Sequence, residues 1–148
     1  MKAPFLMGRL LLGGFFLYNG INHFRNHKSL VQYAQAKNVP KADAAVTATG
    51  IALTVGGTSI LLGVKPKLGT LAILGFLGSV SPMMHAFWKD QDPNERMHNM
   101  VNFTKNVALA GSALALMGVE EPWPASVPVA QPGKLQRLRR AIRREAAA

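Results

Sequence analysis

The 148-residue chain has no cysteine, which excludes disulfide bonds, thiolate metal sites and cysteine nucleophiles. Acidic residues are also scarce: 7 Asp and Glu stand against 17 Lys and Arg, which gives a formal net charge of +10. A chain this basic favours anionic partners, such as an acidic lipid surface or a nucleic acid. Only 16% of its residues are charged while 49% are hydrophobic, which argues against extended disorder.

The few charges leave long apolar stretches uninterrupted. Residues 44–64 carry no charged side chain, and 68–88 carry none apart from the titratable His85. A helix needs about 20 apolar residues to cross a bilayer, so both stretches are candidate spans. Two further segments, each with a single basic residue, complete a set of four: 3–22 with Arg9 and 100–119 with Lys105. Because none shows the polar face of a soluble helix, the pattern predicts an all-α fold, a four-helix transmembrane bundle with a basic C-terminal tail.

Two shorter regions follow the predicted bundle of residues 1–119. Residues 120–133 are rich in proline and predict an extended linker, and 134–148 form a basic amphipathic tail in which 134–145 predict a helix. The cations of this tail are Lys134, Arg137, Arg139, Arg140, Arg143 and Arg144. They suit anionic lipid or a protein partner better than nucleic acid, because no aromatic residues that would stack on bases alternate with them.

Four spans bring both termini to the same side of the membrane. Lys and Arg in the short loops and the tail are more numerous on that side, and the basic side is the cytoplasmic one. We therefore expect a multi-pass protein of the cell (inner) membrane with both termini in the cytoplasm. On the opposite side, residues 29–37 predict a short helix along the interface.

Several motifs together resemble the DoxX family. Residues 13–24 read GGFFLYNGINHF, like the first helix of that family, and 56–65 resemble its second helix and turn. The stretch HAFWKDQDPNER from His85, followed by NFTKNVALAGSALAL from Asn102, is similar to the pattern of some members. The resemblance covers residues 5–119 and implies a small four-helix integral membrane protein. It also implies association with a membrane redox system, such as thiosulfate–quinone oxidoreduction or superoxide and thiol handling.

All four histidines fall on the predicted outer side of the bundle: His23, His27, His85 and His98. With the nearby methionines they form a ligand set suited to copper, and two facing histidines suit haem iron. The alternative is that these are ordinary polar residues at a membrane boundary.

A second set of outer-side residues predicts a quinone site. His85 and Trp88 are three positions apart and would share a helix face, with His85 bonded to a quinone carbonyl and aromatic rings around it. The candidate residues are His85, Trp88, His23, Tyr18 and Asn106. The alternative is an aromatic belt at the interface, anchored by Trp88.

At the inner end, Arg9 lies roughly two helical turns inside the first span, where an unpaired charge is costly. The nearest acids on that side follow the fourth span. We expect a structural ion pair between Arg9 and Glu120.

Three functions follow from these observations. The favoured one is a non-catalytic, accessory or structural subunit of a membrane-associated redox complex, with membrane lipids and other protein subunits as partners. The first alternative is a small membrane oxidoreductase with its own quinone, haem or copper site at the outer rim. The second is a carrier for a small metabolite. No phosphate loop, G-x-S-x-G elbow or H-E-x-x-H motif indicates a soluble enzyme.

Overall fold

The computed structural model describes residues 2–128 of the chain. They form five α-helices: α1 (Lys2–Arg25), α2 (His27–Ala36), α3 (Ala42–Leu62), α4 (Pro66–Met84) and α5 (Pro93–Met117). A short 3-10 helix (Phe87–Lys89) follows α4, and the described residues contain no strand, so the all-α class is confirmed. Two stretches, Ala42–Leu62 and Pro66–Lys89, are long and apolar enough to cross a membrane.

The four long helices form a bundle in which α1 packs on α3, α3 on α4 and α4 on α5. Helices that pack in this order are antiparallel, so α1 begins where α5 ends, and the Phe5 and Trp123 rings meet there with centroids 5.4 Å apart. We call this the turn end, because the turn of residues 63–65 between α3 and α4 also lies there. The opposite end, which carries α2 and the four histidines, is the histidine end.

Close packing of α1 on α3 depends on glycine. A Cβ on Gly57 would lie 2.5 Å from the backbone nitrogen of Leu17, and a Cβ on Gly13 would lie 3.1 Å from the carbonyl oxygen of Gly57. Small residues of this kind let helix backbones approach each other in a lipid environment. The fully buried side chains around this contact and the α3–α4 contact are Phe16, Leu53, Ile60, Ile73 and Leu77.

The turn between α3 and α4 is specified locally. Gly63 ends α3 in the left-handed conformation, with φ of 66°, which glycine adopts without strain. Ser59 Oγ donates to the carbonyl oxygens of Val64 at 2.7 Å and Lys65 at 3.1 Å. Pro66 then begins α4 at a position where a backbone N–H has no helical partner to lose. The tight turn makes α3 and α4 antiparallel neighbours.

Two helix boundaries differ from the expected ones by four residues or more. α4 ends at Met84 instead of extending to residue 88: Pro82 in its last turn removes the backbone hydrogen bond to residue 78, and the chain then forms the 3-10 helix Phe87–Lys89. α5 begins at Pro93, well before residue 100, because Asp92 caps it by accepting two backbone N–H groups at 2.9 Å. Hydropathy marks where a helix becomes apolar, while capping residues determine where it begins.

The segment that follows α5 packs on the turn end. The Trp123 side chain is only 2% exposed, and its Nε1 donates to the carbonyl oxygen of Val119 at 3.3 Å. The backbone nitrogen of Val127 donates to Leu62 O at 2.8 Å. The expectation of an extended linker does not hold for residues 120–128. The remainder of the linker and the predicted basic tail lie outside the described residues.

Candidate functional site

An apolar cavity of about 350 Å³ lies at the histidine end, between the C-terminal end of α1, α2, the first half of α3 and the C-terminal end of α4. This volume is near the lower end of the range for small-molecule sites, roughly 300–1,000 Å³. Aliphatic, aromatic and thioether groups form most of the wall. Five polar side chains line it: His23, Tyr33, Thr49, Ser79 and His85.

The His23 ring is held by its own helix. Its Nδ1 lies 2.8 Å from the carbonyl oxygen of Asn19, one turn earlier in α1. A carbonyl oxygen only accepts, so Nδ1 carries the hydrogen and donates it. In the neutral ring, Nε2 therefore presents a lone pair. The ring also stands edge-on to Phe76, with centroids 6.2 Å apart, which fixes its plane against α4.

The His85 ring is held by a chain of side chains from outside the cavity. Asn99 Nδ2 donates to the Asp90 carboxylate at 2.7 Å, which fixes the orientation of the amide because a carboxylate only accepts. The amide oxygen of Asn99 therefore faces His85 Nδ1, 3.2 Å away, and accepts its hydrogen. In the neutral His85 ring, Nε2 again presents a lone pair.

The two aliphatic hydroxyls in the cavity wall, those of Thr49 and Ser79, have also used their hydrogen. Thr49 Oγ1 donates to the carbonyl oxygen of Ala45 at 2.8 Å, and Ser79 Oγ donates to that of Phe76 at 2.9 Å. A hydroxyl in this situation offers only its lone pairs to a ligand. Of the five polar side chains that line the cavity, four therefore present acceptors, and Tyr33 is the exception.

The cavity brings together only part of the predicted quinone set. His23 and His85 share it, as predicted, but Trp88 and Asn106 line a different cavity between α4 and α5. Tyr18 is 69% exposed on the outside of α1. The shared helix face expected for His85 and Trp88 does not form, because α4 ends before both of them.

The four histidines do not assemble the predicted metal site. Among the described residues, no group of three His, Asp or Glu side chains could hold a metal ion. His27 instead lies 3.1 Å from Thr47 Oγ1, and His98 Nε2 lies 3.0 Å from the amide nitrogen of Asn102. His23 and His98 bond within their own helices, whereas His27 bonds to α3 and His85 to α5.

The predicted ion pair between Arg9 and Glu120 is not formed. The Arg9 side chain is 3% exposed, and its guanidinium donates to the carbonyl oxygens of Pro124 at 2.7 Å and of Leu61 and Ala125 at 3.0 Å each. The segment after α5 turns back over the bundle and supplies the carbonyls of Pro124 and Ala125, α3 supplies that of Leu61, and Glu120 remains exposed. Arg9 is thus a latch that joins α1, α3 and the C-terminal segment.

Sequence reasoning did not single out Asn99, which is 4% exposed and connects Asp90 to His85. The spacing of residues in the sequence could have indicated Asn99. It is fourteen positions before Ala113, close to four helical turns, so the two lie on the same face of the helix, and they are the two buried residues of α5. A polar residue in register with an inward-facing position is costly to bury unless it is hydrogen bonded, so its partners belong to the site.

Comparison with known proteins gives one match. The family model for DoxX matches residues 5–86, a stretch that includes every residue lining the cavity. Asp90, Asn99 and the motifs after residue 86 lie beyond the matched stretch. No curated protein and no solved structure matches the chain. Because the match covers more than half of the 148 residues, the chain belongs to the DoxX family, whose members are membrane proteins, some of them linked to redox complexes.

Proposed function

We propose that the chain is a four-span membrane protein that serves as an accessory subunit of a membrane-associated redox complex. In this proposal α1 and α5 cross the bilayer beside α3 and α4, and both termini lie in the cytoplasm. Lys65 and Lys67 at the turn end support this orientation. The membrane lipids and at least one further protein subunit are its partners.

The surroundings of one charged residue in α1 and one in α5 support the proposal that these helices cross the membrane. Arg9 in α1 is shielded from lipid by the carbonyl groups that it binds. Lys105 in α5 reaches toward the histidine end, where its Nζ lies 2.9 Å from Asn102 Oδ1. A long cationic side chain that extends to the membrane boundary in this way avoids the cost of a charge in the bilayer.

The exposed surface of the bundle is strongly apolar. Large hydrophobic side chains that are more than half exposed include Met7, Leu10, Leu11, Tyr18, Val55, Leu68, Leu71, Val107 and Leu114. A water-soluble monomer rarely exposes apolar residues on this scale. Lipid or protein contact around the bundle accounts for them.

A groove between α1 and α5 is the observation that supports a partner subunit. α1 and α5 contribute Leu12, Phe16 and Ala113 to one buried core, and beside that core a space of about 700 Å³ opens between the two helices. Gly8, Gly14 and Ser112 line it, and a Cβ built on either glycine would have nothing within 4 Å. Small residues in membrane helices are the usual material of helix contacts, so a helix of another subunit fits this groove.

The test is purification at native abundance in a gentle detergent, followed by native mass spectrometry. We expect the chain in a larger assembly, and we expect Gly14→Leu, which fills the groove, to release it. Gly75→Leu is the matched control, because its Cβ also has nothing within 4 Å but lies on α4 outside the groove. A chain that is isolated alone and is active alone would overturn the proposal, as would equal release by both variants.

A second candidate function is a small membrane oxidoreductase with a quinone site of its own. The specific observation in its favour is that His23 and His85 line one apolar cavity of suitable size. A bound quinone would supply two-electron redox chemistry, and the two imidazoles would orient it. Extraction of the purified chain with organic solvent would identify a bound quinone, and its absence from a folded preparation would count against this function.

A further inference from the structure

We infer that two adjoining cavities at the histidine end form one binding site for a single-chain amphiphile with a monoanionic head, a long-chain fatty carboxylate. The alkyl chain lies in the apolar cavity described above, and the carboxylate lies in a polar cavity beside it. The inference rests on the membrane location in the proposed function but not on a partner subunit, because both cavities are built from this chain alone. It gives the apolar cavity a different occupant from the second candidate function.

The polar cavity has a volume of about 430 Å³ and lies where the ends of α2 and α4 meet the loop before α5. We call it the lysine cavity, because Lys37 and Lys89 line it together with Asp90 and Asn99. The amide of Asn99 donates to the Asp90 carboxylate at 2.7 Å. Within residues 2–128, neither lysine forms a salt bridge, so both ammonium groups are available to a ligand.

Three features show that the two cavities adjoin. Met83 and Met84, at the end of α4, line both of them. His85 in the apolar wall bonds to Asn99 in the wall of the lysine cavity, at 3.2 Å. After α2, residues 36–38 line the lysine cavity and the next residue lines the apolar one. Methionine side chains are flexible and fit irregular shapes, so an alkyl chain can extend past them from one cavity into the other.

The charges in the lysine cavity determine the kind of head group. Two lysines and one aspartate leave a net charge of +1, which a single monoanion neutralises. A cationic head would be repelled by both ammonium groups. The phosphodiester of a membrane phospholipid is also a monoanion, but it carries two chains. The apolar cavity, at about 350 Å³ near the lower end of the range for small-molecule sites, suits one chain.

The hydrogen-bonding character of the apolar cavity fixes the orientation of the ligand. Nε2 of His23 and of His85 presents a lone pair, because each Nδ1 hydrogen is donated to a protein oxygen. The hydroxyls of Thr49 and Ser79 have also donated their hydrogens. A carboxylate would meet these acceptors without a hydrogen between them, whereas an ammonium group only donates. The head therefore lies with the lysines, and the alkyl chain lies against the apolar wall.

Tyr33 extends the set of donors from the lysine cavity toward the apolar one. Its hydroxyl can donate a hydrogen, unlike the other polar side chains that line the apolar cavity. The backbone nitrogen of Lys37 donates to the carbonyl oxygen of Tyr33 at 3.2 Å, which places the two residues one helical turn apart on the same face of α2. A carboxylate where the cavities meet has donors on both sides, and hydrogen bonds to an ionised acceptor are stronger than neutral ones.

The test measures binding of labelled myristate to the purified full chain in phosphatidylcholine nanodiscs by equilibrium dialysis, with empty nanodiscs as the partition blank. Methyl myristate and tetradecyltrimethylammonium are the probes with a neutral and a cationic head. At equal concentrations in the bilayer, we expect one saturable site that binds myristate at least tenfold more tightly than either. A smaller ratio would overturn the anionic head. Displacement of myristate by an equal amount of dimyristoyl phosphatidylglycerol would overturn the single-chain ligand, and failure to displace it supports that ligand.

A matched pair of lysine variants locates the head group. We expect Lys37→Gln to lower myristate affinity at least tenfold, because it removes an ammonium group from the lysine cavity. Lys28→Gln is the control, since Lys28 is an exposed residue of α2 that lines neither cavity and its loss changes the net charge equally. Equal losses in both variants would show a general attraction to basic protein and would overturn the site.

A second pair locates the alkyl chain. Ala48 lines the apolar cavity, and we expect Ala48→Phe to fill it and to lower myristate affinity at least tenfold. Ala44→Phe, one turn earlier on α3, is the control, because Ala44 lines neither cavity. Both alanines are exposed, so neither change disturbs the packed core. Full affinity in Ala48→Phe would overturn the placement of the chain. The protein is tested without a partner, so failure here is distinct from failure of the accessory-subunit proposal, which native mass spectrometry decides.

Discussion

Two buried polar side chains, Arg9 and Asn99, join parts of the chain that are distant in sequence. They differ from the buried hydroxyls of Thr70 and Ser81, which donate to carbonyl oxygens one turn earlier in their own helix. Arg9 holds the turn end together, and Asn99 holds His85 at the other end. Buried polar groups that are hydrogen bonded across elements fix a single arrangement of those elements.

The Asn99 amide is a positioning group, and this role has a specific consequence. In Asn99→Leu, nothing holds the hydrogen of His85 on Nδ1. We expect nitrogen-15 NMR to show the neutral His85 ring protonated on Nδ1 in the unaltered chain and as a mixture of both tautomers in Asn99→Leu. The same tautomer in both proteins would contradict the assignment.

Arg9 stabilises the docking of the segment after α5. Hydrogen bonds to charged groups contribute about 1.5–3 kcal/mol each, and water replaces part of this when they are lost, so we expect Arg9→Ala to lower the free energy of unfolding by about 2–4 kcal/mol. Thermal unfolding in detergent, followed by tryptophan fluorescence, measures the change through the buried Trp123. Lys105→Ala is the control, because Lys105 is exposed. An Arg9→Ala variant as stable as this control would rule out the latch.

At the scale of helices, the contact between α1 and α3 tolerates no added volume. A methyl group on Gly57 would lie 2.5 Å from a backbone atom of α1, so the helices must separate to admit it. We expect Gly57→Ala to destabilise the bundle by about 1–3 kcal/mol, the usual cost of overpacking. Gly14→Ala, on the open side of α1, should be neutral or stabilising by up to about 1 kcal/mol. Thermal unfolding of the two variants compares them, and similar midpoints would show that the contact is looser than described.

The apolar centres of the helices could be predicted from sequence, and their ends could not. The uncharged run of 44–64 lies within two residues of α3, because a glycine and a charged loop bound it. The stretch around Pro82 and Asp92 carries both apolar and turn-forming residues, and there local capping chemistry overrode hydropathy. The short helix predicted over 29–37 is present as α2, displaced slightly toward the N-terminus.

Only part of the candidate site could be predicted from the positions of its residues along the chain. His23 lies just after one apolar run and His85 near the end of another. The two runs end on the same side of an antiparallel bundle, so these histidines were expected to lie near each other. The Asp90–Asn99–His85 chain depends on how a loop folds back on the first turns of α5, and no spacing rule gives that. Two of the three carbonyls around Arg9 were equally hidden, because they belong to a segment whose prolines predicted an extended linker.

At the scale of the whole molecule, the matched family stretch and the site overlap incompletely. Residues 5–86 build the cavity, and α5 contributes the amide that orients His85 from outside it. The orientation of the His85 ring therefore depends on a helix beyond the family match. The two proposals also occupy separate regions: the partner groove lies between α1 and α5, and the apolar ligand cavity lies between α1, α2, α3 and α4.

The proposed function requires that the bundle crosses the membrane four times with its turn end in the cytoplasm. The absence of cysteine allows a direct test, because a single introduced cysteine is then the only thiol in the chain that a maleimide can label. Exposed positions that report on each crossing are Ala3, Lys28, Lys67, Gln91 and Glu120. In intact cells treated with a membrane-impermeant maleimide, we predict that Lys28→Cys and Gln91→Cys are labelled and that the other three variants are labelled only after permeabilisation. Labelling of Lys67→Cys in intact cells, or labelling of all five from one side, would contradict the account.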